Sequence, residues 1–390
     1  MKKLFLLGLV VGLLAGSWSL AQAAATPAGK VAPRPLYRDP PFNAPTDPVL
    51  CFNAESNKWF MYYTARRGSA TDAPGVTWIH GSNIGMAESS DGGATWTYRG
   101  TADISYGKKE HPQDFTYWAP EVIWVEGTYH MFLTFVPGIF NDWNHPREIV
   151  HLTSKDGVKW DTIGQVDLKS DRVIDACVIQ LPGGFWRMWY KDERKEKSLS
   201  YADSSDLIHW EPRGNAVTDF NGEGPKVIHW QGRYWLIADC WANGMRVWSS
   251  DDATNWKLQE NPLFGSHGDV VISGGRAWWF YFGGNRRAPG ANARPAAAPA
   301  AAAAAAPAPA EPLVVAATPP SPPTPPAPPT PPSATAAKPA ALAAAAAAAP
   351  RGRSAMINVV ELSVVDGVLR AGDPAEPTYI DLKPARELEK

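Results

Sequence analysis

One short pattern recurs along this chain and limits what it can become. Ser89-Ser90-Asp91-Gly92-Gly93-Ala94-Thr95-Trp96 is echoed by Thr153-Ser154-Lys155-Asp156-Gly157-Val158-Lys159-Trp160. It returns more loosely as Ala202-Asp203-Ser204-Ser205-Asp206-Leu207-Ile208-His209-Trp210, and again as Ser249-Ser250-Asp251-Asp252-Ala253-Thr254-Asn255-Trp256. Asp and Gly supply the turn of a hairpin, and the Trp packs the following strand onto its neighbour. The role of this repeat is structural.

Upstream of each hairpin lies an aromatic strand: Lys58-Trp59-Phe60-Met61-Tyr62-Tyr63-Thr64, Thr128 to Thr134, Phe185 to Tyr190, and Arg233 to Ile237. Before that comes a strand with an acidic head: Asp47-Pro48-Val49-Leu50, Glu121-Val122-Ile123-Trp124, Asp175-Ala176-Cys177-Val178, and Glu223 within Asn221-Gly222-Glu223-Gly224-Pro225. Four strands per unit, at a spacing of about 40 to 65 residues, is the signature of β-propeller blades. Four units run from Asp47 to Leu258, and a fifth begins at Gly265-Ser266-His267-Gly268-Asp269 and continues through Phe282. No helical period competes with this all-β reading.

The fifth unit is interrupted. Between 287 and 353 the chain is almost entirely Ala and Pro, a composition that buries little and predicts disorder. Beyond it, Ile357 to Leu369 is strand-like again, with an Asp366-Gly367 turn. Residues 354–390 are too few to hold a core alone, so they read as the closing strands and tail of the fifth blade. The propeller is expected over 37–286 plus these strands, preceded by a flexible lead-in at 24–36.

Met1-Lys2-Lys3, the apolar run from Leu4 to Gly16 and the small-x-small site Ala21-Gln22-Ala23 form a secretory signal over residues 1–23. No cysteine follows the apolar run to carry a lipid anchor, and no later apolar stretch is long enough to span a bilayer. A periplasmic or secreted, soluble protein is the expectation. With 37 basic and 39 acidic residues, nothing calls for a nucleic-acid partner. The three cysteines, Cys51, Cys177 and Cys240, sit in or just after apolar strands without zinc-binding spacing, and read as small buried hydrophobes.

Five innermost strands around one axis bring their starts to one face, where acidic heads from different blades can meet across a pocket. Glycoside hydrolysis needs such a pair, an acid for the leaving oxygen and a base for water. The order of motifs resembles family-43 glycoside hydrolases, five-bladed propellers acting on arabinose- and xylose-containing glycans. The resemblance covers roughly Asp47 to Gly284 and the strands near 357–369. It implies Asp47, in Asp-Pro, as general base; Asp175, in Ile-Asp-Ala, as the residue that orients the acid and tunes its pKa; and Glu223, in Glu-Gly-Pro, as general acid. It places Trp118, in Tyr-Trp-Ala-Pro-Glu, and His267 at the substrate site, with Glu121 lining the pocket. No cofactor is implied, though calcium near His267 is an option in such proteins. The expected partner is an oligo- or polysaccharide bound by a monomer, and the expected mechanism is inverting, with the Asp47 and Glu223 carboxylates roughly 6.5 to 9.5 Å apart.

Some features depart from a plain propeller. The stretches Thr64 to His80 and Pro137 to Arg147, the latter with Phe140, Trp143 and His145, exceed a hairpin turn, and long loops here shape the mouth. Asp39, also followed by Pro, is a second candidate base, but only a turn-rich stretch follows it. Two other readings stand beside the hydrolase. One is a non-catalytic glycan-binding propeller. The other is a sialidase-like or other exo-acting propeller glycosidase, since the hairpin resembles the Asp-box; a sialidase wants six blades and an arginine cluster.

Overall fold

A computed structural model describes residues 29–70, 73–107, 115–284 and 353–384. The signal segment 1–23, the first part of the lead-in and residues 287–352 of the Ala/Pro tract lie outside them. Within them the chain is a five-bladed β-propeller, and each blade is an antiparallel sheet whose strands follow one another in sequence order. Blade 1 consists of Pro45–Asn53, Lys58–Ala65, Asn83–Ser89 and Thr97–Thr101. Blade 2 is Thr116–Val125, Thr128–Val136, Glu148–Ser154 and Lys159–Gln165, extended by Asp103–Ile104 in parallel. Blade 3 is Val173–Gln180, Trp186–Asp192, Leu199–Ser204 and Glu211–Val217. Blade 4 is Glu223–Trp230, Arg233–Asp239, Met245–Ser250 and Lys257–Leu258. Blade 5 is Gly268–Ser273, Arg276–Gly283, Met356–Val365 and Val368–Ala371. The first strands of neighbouring blades touch all the way round, which makes them the axial ring.

The repeated hairpins do what their residues dictate. In each, a serine hydroxyl donates to the following aspartate: Ser89 to Asp91 at 2.9 Å, Ser154 to Asp156 at 3.0 Å, Ser204 to Asp206 at 3.1 Å and Ser250 to Asp252 at 2.9 Å. The aspartate then accepts backbone N–H groups of the turn, as Asp206 does from Ile208 and His209. Between blades the core is aromatic: Trp160, Trp189, Trp235, Trp248, Trp278 and Trp279 are fully buried. Each such ring contributes roughly 2 to 3 kcal/mol of hydrophobic stabilisation. The three cysteines are free and buried.

Gly283 pairs with Met356, so the Ala/Pro tract is inserted between two hydrogen-bonded neighbours of blade 5. The lead-in differs from the expectation of a flexible segment. Lys30–Val31 pairs antiparallel with Tyr379–Ile380, Tyr37 bridges Ile357, and Ala32, Leu36 and Tyr37 are buried. The strand pairing satisfies the backbone, and the apolar side chains cover the seam between blades 5 and 1, which holds this segment down. At the same seam, Trp59 Nε1 donates to Leu382 O and Trp278 Nε1 to Tyr379 O.

Candidate active site

Four of the five axial strands start with the same local irregularity. Asp47, Ala119, Asp175 and Gly224 have φ of 52°, 40°, 60° and 57°, and at each the pairing with the second strand slips its register. These are β-bulges, which bend a strand and re-aim a side chain. Pro48, Pro120 and Pro225 follow three of them, where a missing N–H removes the ladder bond that would straighten the strand. Asp and Gly tolerate the left-handed region that the bulge requires. At Gly224 the need is also steric, since a Cβ would lie 2.3 Å from the His267 ring.

The bulges are stitched to one another. Ala119 N–H donates to Thr64 Oγ1 at 2.8 Å, and Asp175 N–H to Thr134 Oγ1 at 3.0 Å. At the next blade the acceptor is the Asp175 carboxylate itself, which takes Gly224 N–H at 3.0 Å. Asp175 is thereby fixed one peptide away from Glu223. His267, from the head of blade 5, completes the group: its Nδ1 lies 3.4 Å from Asp47 Oδ1 and 3.9 Å from Asp175 Oδ2. Asp47 also accepts from Thr46 Oγ1 at 2.9 Å and faces Arg66 Nη2 at 3.6 Å. Three carboxylates and an imidazole from blades 1, 3, 4 and 5 thus gather at one end of the axis.

Their environments drive the carboxyls apart. Burial raises the pKa of Glu223, and the negative charges of Asp175 and Asp239 raise it further, to about 8. Burial raises Asp175 as well, against the pull of His267. For Asp47 burial also acts upward, but the Arg66 guanidinium and His267 more than offset it and hold this carboxyl below the usual range. His267 is raised to about 9: burial opposes its charge, and the hydrogen bond to Asp47 with the surrounding carboxylates prevails. Near neutrality the site holds a protonated Glu223, an ionised Asp47 and an imidazolium between Asp47 and Asp175.

Two sequence-derived residues are placed differently from expectation. Glu121 does not stand free in the pocket. It is buried, and its carboxylate accepts from Lys226 Nζ at 3.0 Å and from Val178 N–H at 3.2 Å. Lys226 also pairs with Asp269 at 2.8 Å, and Asp269 accepts Leu50 N–H at 2.8 Å. Glu121 therefore belongs to a buried ionic hub that ties all five axial strands together. Trp118 is buried rather than open: its Nε1 donates to Ile79 O at 3.0 Å, and its ring packs against His80, Trp143 and His145. Asp39 stays outside the carboxylate group, buried where it accepts Tyr63 Oη–H at 2.7 Å and Phe42 N–H at 2.9 Å.

Other groups at the site were not foreseen: Arg66, Arg147, Lys191, Glu193 and Asp239. Buried Arg147 forms an ion pair with Glu193, and Lys191 Nζ donates to Asn221 Oδ1 at 2.9 Å. All five lie at or just beyond the end of a second strand, or at the start of a third. In an antiparallel blade those ends return to the face where the first strand begins. That rule was available from the sequence and would have found them.

The His267 imidazole, next to which calcium was an option, has its Nδ1 turned to Asp47 and Asp175, and among the described residues no group of three or more His, Cys, Asp or Glu is disposed to hold a metal.

Neither a protein-family model nor a curated protein matches the sequence. Solved structures do match the fold. A thermostable family-43 glycoside hydrolase aligns over 89% of this chain and 99% of its own, at TM-score 0.56 and 16% identity. A GH43_1 enzyme from Xanthomonas citri aligns over 87% and 93%, at TM-score 0.55 and 12% identity. CoXyl43, a GH43 β-xylosidase/α-arabinofuranosidase from a compost microbial metagenome, determined with xylotriose, aligns over 90% and 100%, at TM-score 0.53 and 14% identity. The fold of this chain is the five-bladed propeller of the family-43 glycoside hydrolases.

Proposed function

We propose that this protein is an exported, inverting glycoside hydrolase acting on arabinose- or xylose-containing glycans. One observation carries the reading: Asp47, Asp175 and Glu223, from three blades, meet at the axis, where burial and Asp175 favour a proton on Glu223 while Arg66 and His267 favour charge on Asp47. Glu223 gives its proton to the glycosidic oxygen as the bond breaks, while Asp47 takes a proton from the water that attacks the anomeric carbon. Asp175 keeps Glu223 protonated through its charge and places it through the Gly224 N–H. His267 neutralises the charge between Asp47 and Asp175. The sugar class is supported by the fold neighbours, one of which was determined with xylotriose.

The test is a screen of purified protein on nitrophenyl arabinofuranoside, xyloside and galactoside, with arabinan and xylan alongside. Proton NMR of the first product anomer reads the stereochemistry; release of the retained anomer would sink the inverting mechanism. Absence of release from every substrate, with glycan binding intact, would favour the non-catalytic propeller. Export rests on the tripartite N-terminus, and N-terminal sequencing of the mature protein, expected to begin after Ala23, checks it.

A pH prediction follows from the same charges. Activity requires protonated Glu223, so kcat/KM falls as pH rises through about 8. His267 loses its proton near 9 and withdraws the cation from Asp47, which steepens the alkaline limb. The lowered Asp47 pKa keeps the base ionised well into acid, so the acid limb lies below the ordinary carboxylate range. His267 also links pH to stability. Its folded pKa exceeds the ordinary 6.5, so its contribution is complete below about 6.5 and is lost as pH rises through about 9. A kcat/KM profile that is flat from pH 7 to 10 would contradict the assignment of Glu223.

A further inference from the structure

In blades 1 to 4 the connection from the second to the third strand opens on the face that carries the carboxylates. These connections differ sharply in size. Blade 1 contributes 66–82 and blade 2 contributes 137–147, while blades 3 and 4 contribute only 193–198 and 240–244. The two long loops lock together: Val76 N–H donates to Asn141 O at 3.4 Å, and His80 Nε2 lies 2.9 Å from His145 Nε2. From blade 5, Arg353 donates to Ala70 O at 2.9 Å and Ala73 O at 3.0 Å, bracing the same wall. The rim is high over blades 1 and 2 and low over blades 3 and 4.

On the low side stands one large apolar group. Trp241, in the short turn Trp241–Asn243, is 50% exposed and makes no ring contact among the described residues. Its backbone has φ of 50°, a left-handed conformation that a bulky residue rarely adopts. Its place relative to the acid is fixed by register. Glu223 pairs with Asp239, and Trp241 N–H donates to Asp239 Oδ1 at 2.9 Å.

We infer that Trp241 is the platform for the sugar on the leaving-group side of the scissile bond. The inference rests on the hydrolase reading and adds a subsite to it. A general acid protonates the departing oxygen, so the departing sugar begins within hydrogen-bond reach of Glu223, on blade 4. Blade 4 offers a flat, exposed indole two residues beyond the partner of Glu223, and a sugar ring presents C–H groups that pack on such a face. Over blades 1 and 2 the long loops are tied to each other instead. The ligand is therefore a pyranose or furanose unit attached through the bond being cut, leaving over blade 4.

The experiment compares two leaving groups. Glycosyl fluorides of xylose and arabinofuranose have a leaving group too small to reach Trp241; xylobiose and arabinobiose have a sugar there. For Trp241→Ala, the ratio of kcat/KM on the disaccharide to kcat/KM on the matching fluoride is expected to drop about ten-fold. Trp241→Phe, which keeps a flat ring, should hold the ratio within about three-fold of the parent. If the alanine variant does not fold, Trp241→Gln supplies length without a ring and reads the same ratio. A preserved ratio overturns the platform, whether both rates fall together or neither does. If the parent hydrolyses neither fluoride nor disaccharide, the hydrolase reading itself fails and the subsite falls with it.

Discussion

Glu223→Gln is expected to lower kcat on natural glycosides about 10³-fold, within the range that a positioned general acid supplies. Glutamine has the same shape but no proton to give, so the sugar should still bind and KM should move little. The loss should shrink on a dinitrophenyl glycoside, whose leaving group departs without protonation. On that substrate the alkaline limb near pH 8 should also disappear, because the titrating carboxyl is gone. Kinetics of parent and variant on both substrate types, across pH, make the check. Parent-like kcat on a natural glycoside would remove Glu223 as the acid. The size of the effect comes from the setting: burial, Asp175 and Asp239 together hold a proton on this carboxyl that a solvated glutamate would have released.

Lys226→Met should have the largest effect on stability. Among the described residues Lys226 is the cation shared by Glu121 and Asp269, and those carboxylates accept backbone N–H groups from the axial strands of blades 3 and 1. Removing it leaves two buried carboxylates facing each other without a countercharge. Breaking a buried pair in this way typically costs about 3 to 5 kcal/mol. Urea denaturation should show the midpoint falling while the slope stays constant. Burial already pushes Glu121 upward although Lys226 pulls it down, so without the lysine its protonated form gains weight. The variant should therefore recover stability as pH is lowered, since its folded state then binds more protons than the unfolded chain. The triple variant Glu121→Gln, Lys226→Met, Asp269→Asn should lose less than Lys226→Met alone, because the penalty lies in the unpaired charge. A loss below about 1 kcal/mol for the single variant would show that the hub does not hold the ring.

The sequence made the ring legible because its punctuation repeats. Ser-x-Asp turns and their tryptophans marked the outer hairpins, and Asp-Pro, Ala-Pro and Gly-Pro marked the axial strand heads. Asp47 and Glu223 stand at such marks, and Asp175, in Ile-Asp-Ala, joined them by its place at the head of the third axial strand. Glu121 was misplaced for a definable reason. It lies two residues past a bulge, as do Lys226 past Gly224 and Cys177 past Asp175. Aligning the repeats on the bulge residue would have put Glu121 and Lys226 at one depth, with Asp269 close by in the fifth unit, and suggested the ion pairs. Arg66, Arg147 and Lys191 were hidden because a charge at or next to a strand end looks like an ordinary solvated turn. Only the return of the second strand to the head of the first places it at a site. Trp118 illustrates a third limit: an aromatic at a strand head says nothing of which loop will cover it.

The pairing of Lys30–Val31 with Tyr379–Ile380 sets an order of events. These partners lie near opposite ends of the described chain, and closing so long a loop carries a large entropic cost that local hairpins do not face. Individual blades can form early from contacts within each repeat, but the seam between the last blade and the first is sealed only when both of these segments are present. A nascent or truncated chain lacking the final segment would expose Trp59 and Trp278 along that open edge. Addition of this closing segment, not blade formation, is then the committing step, and the exposed tryptophans before it are where chaperones would have work to do.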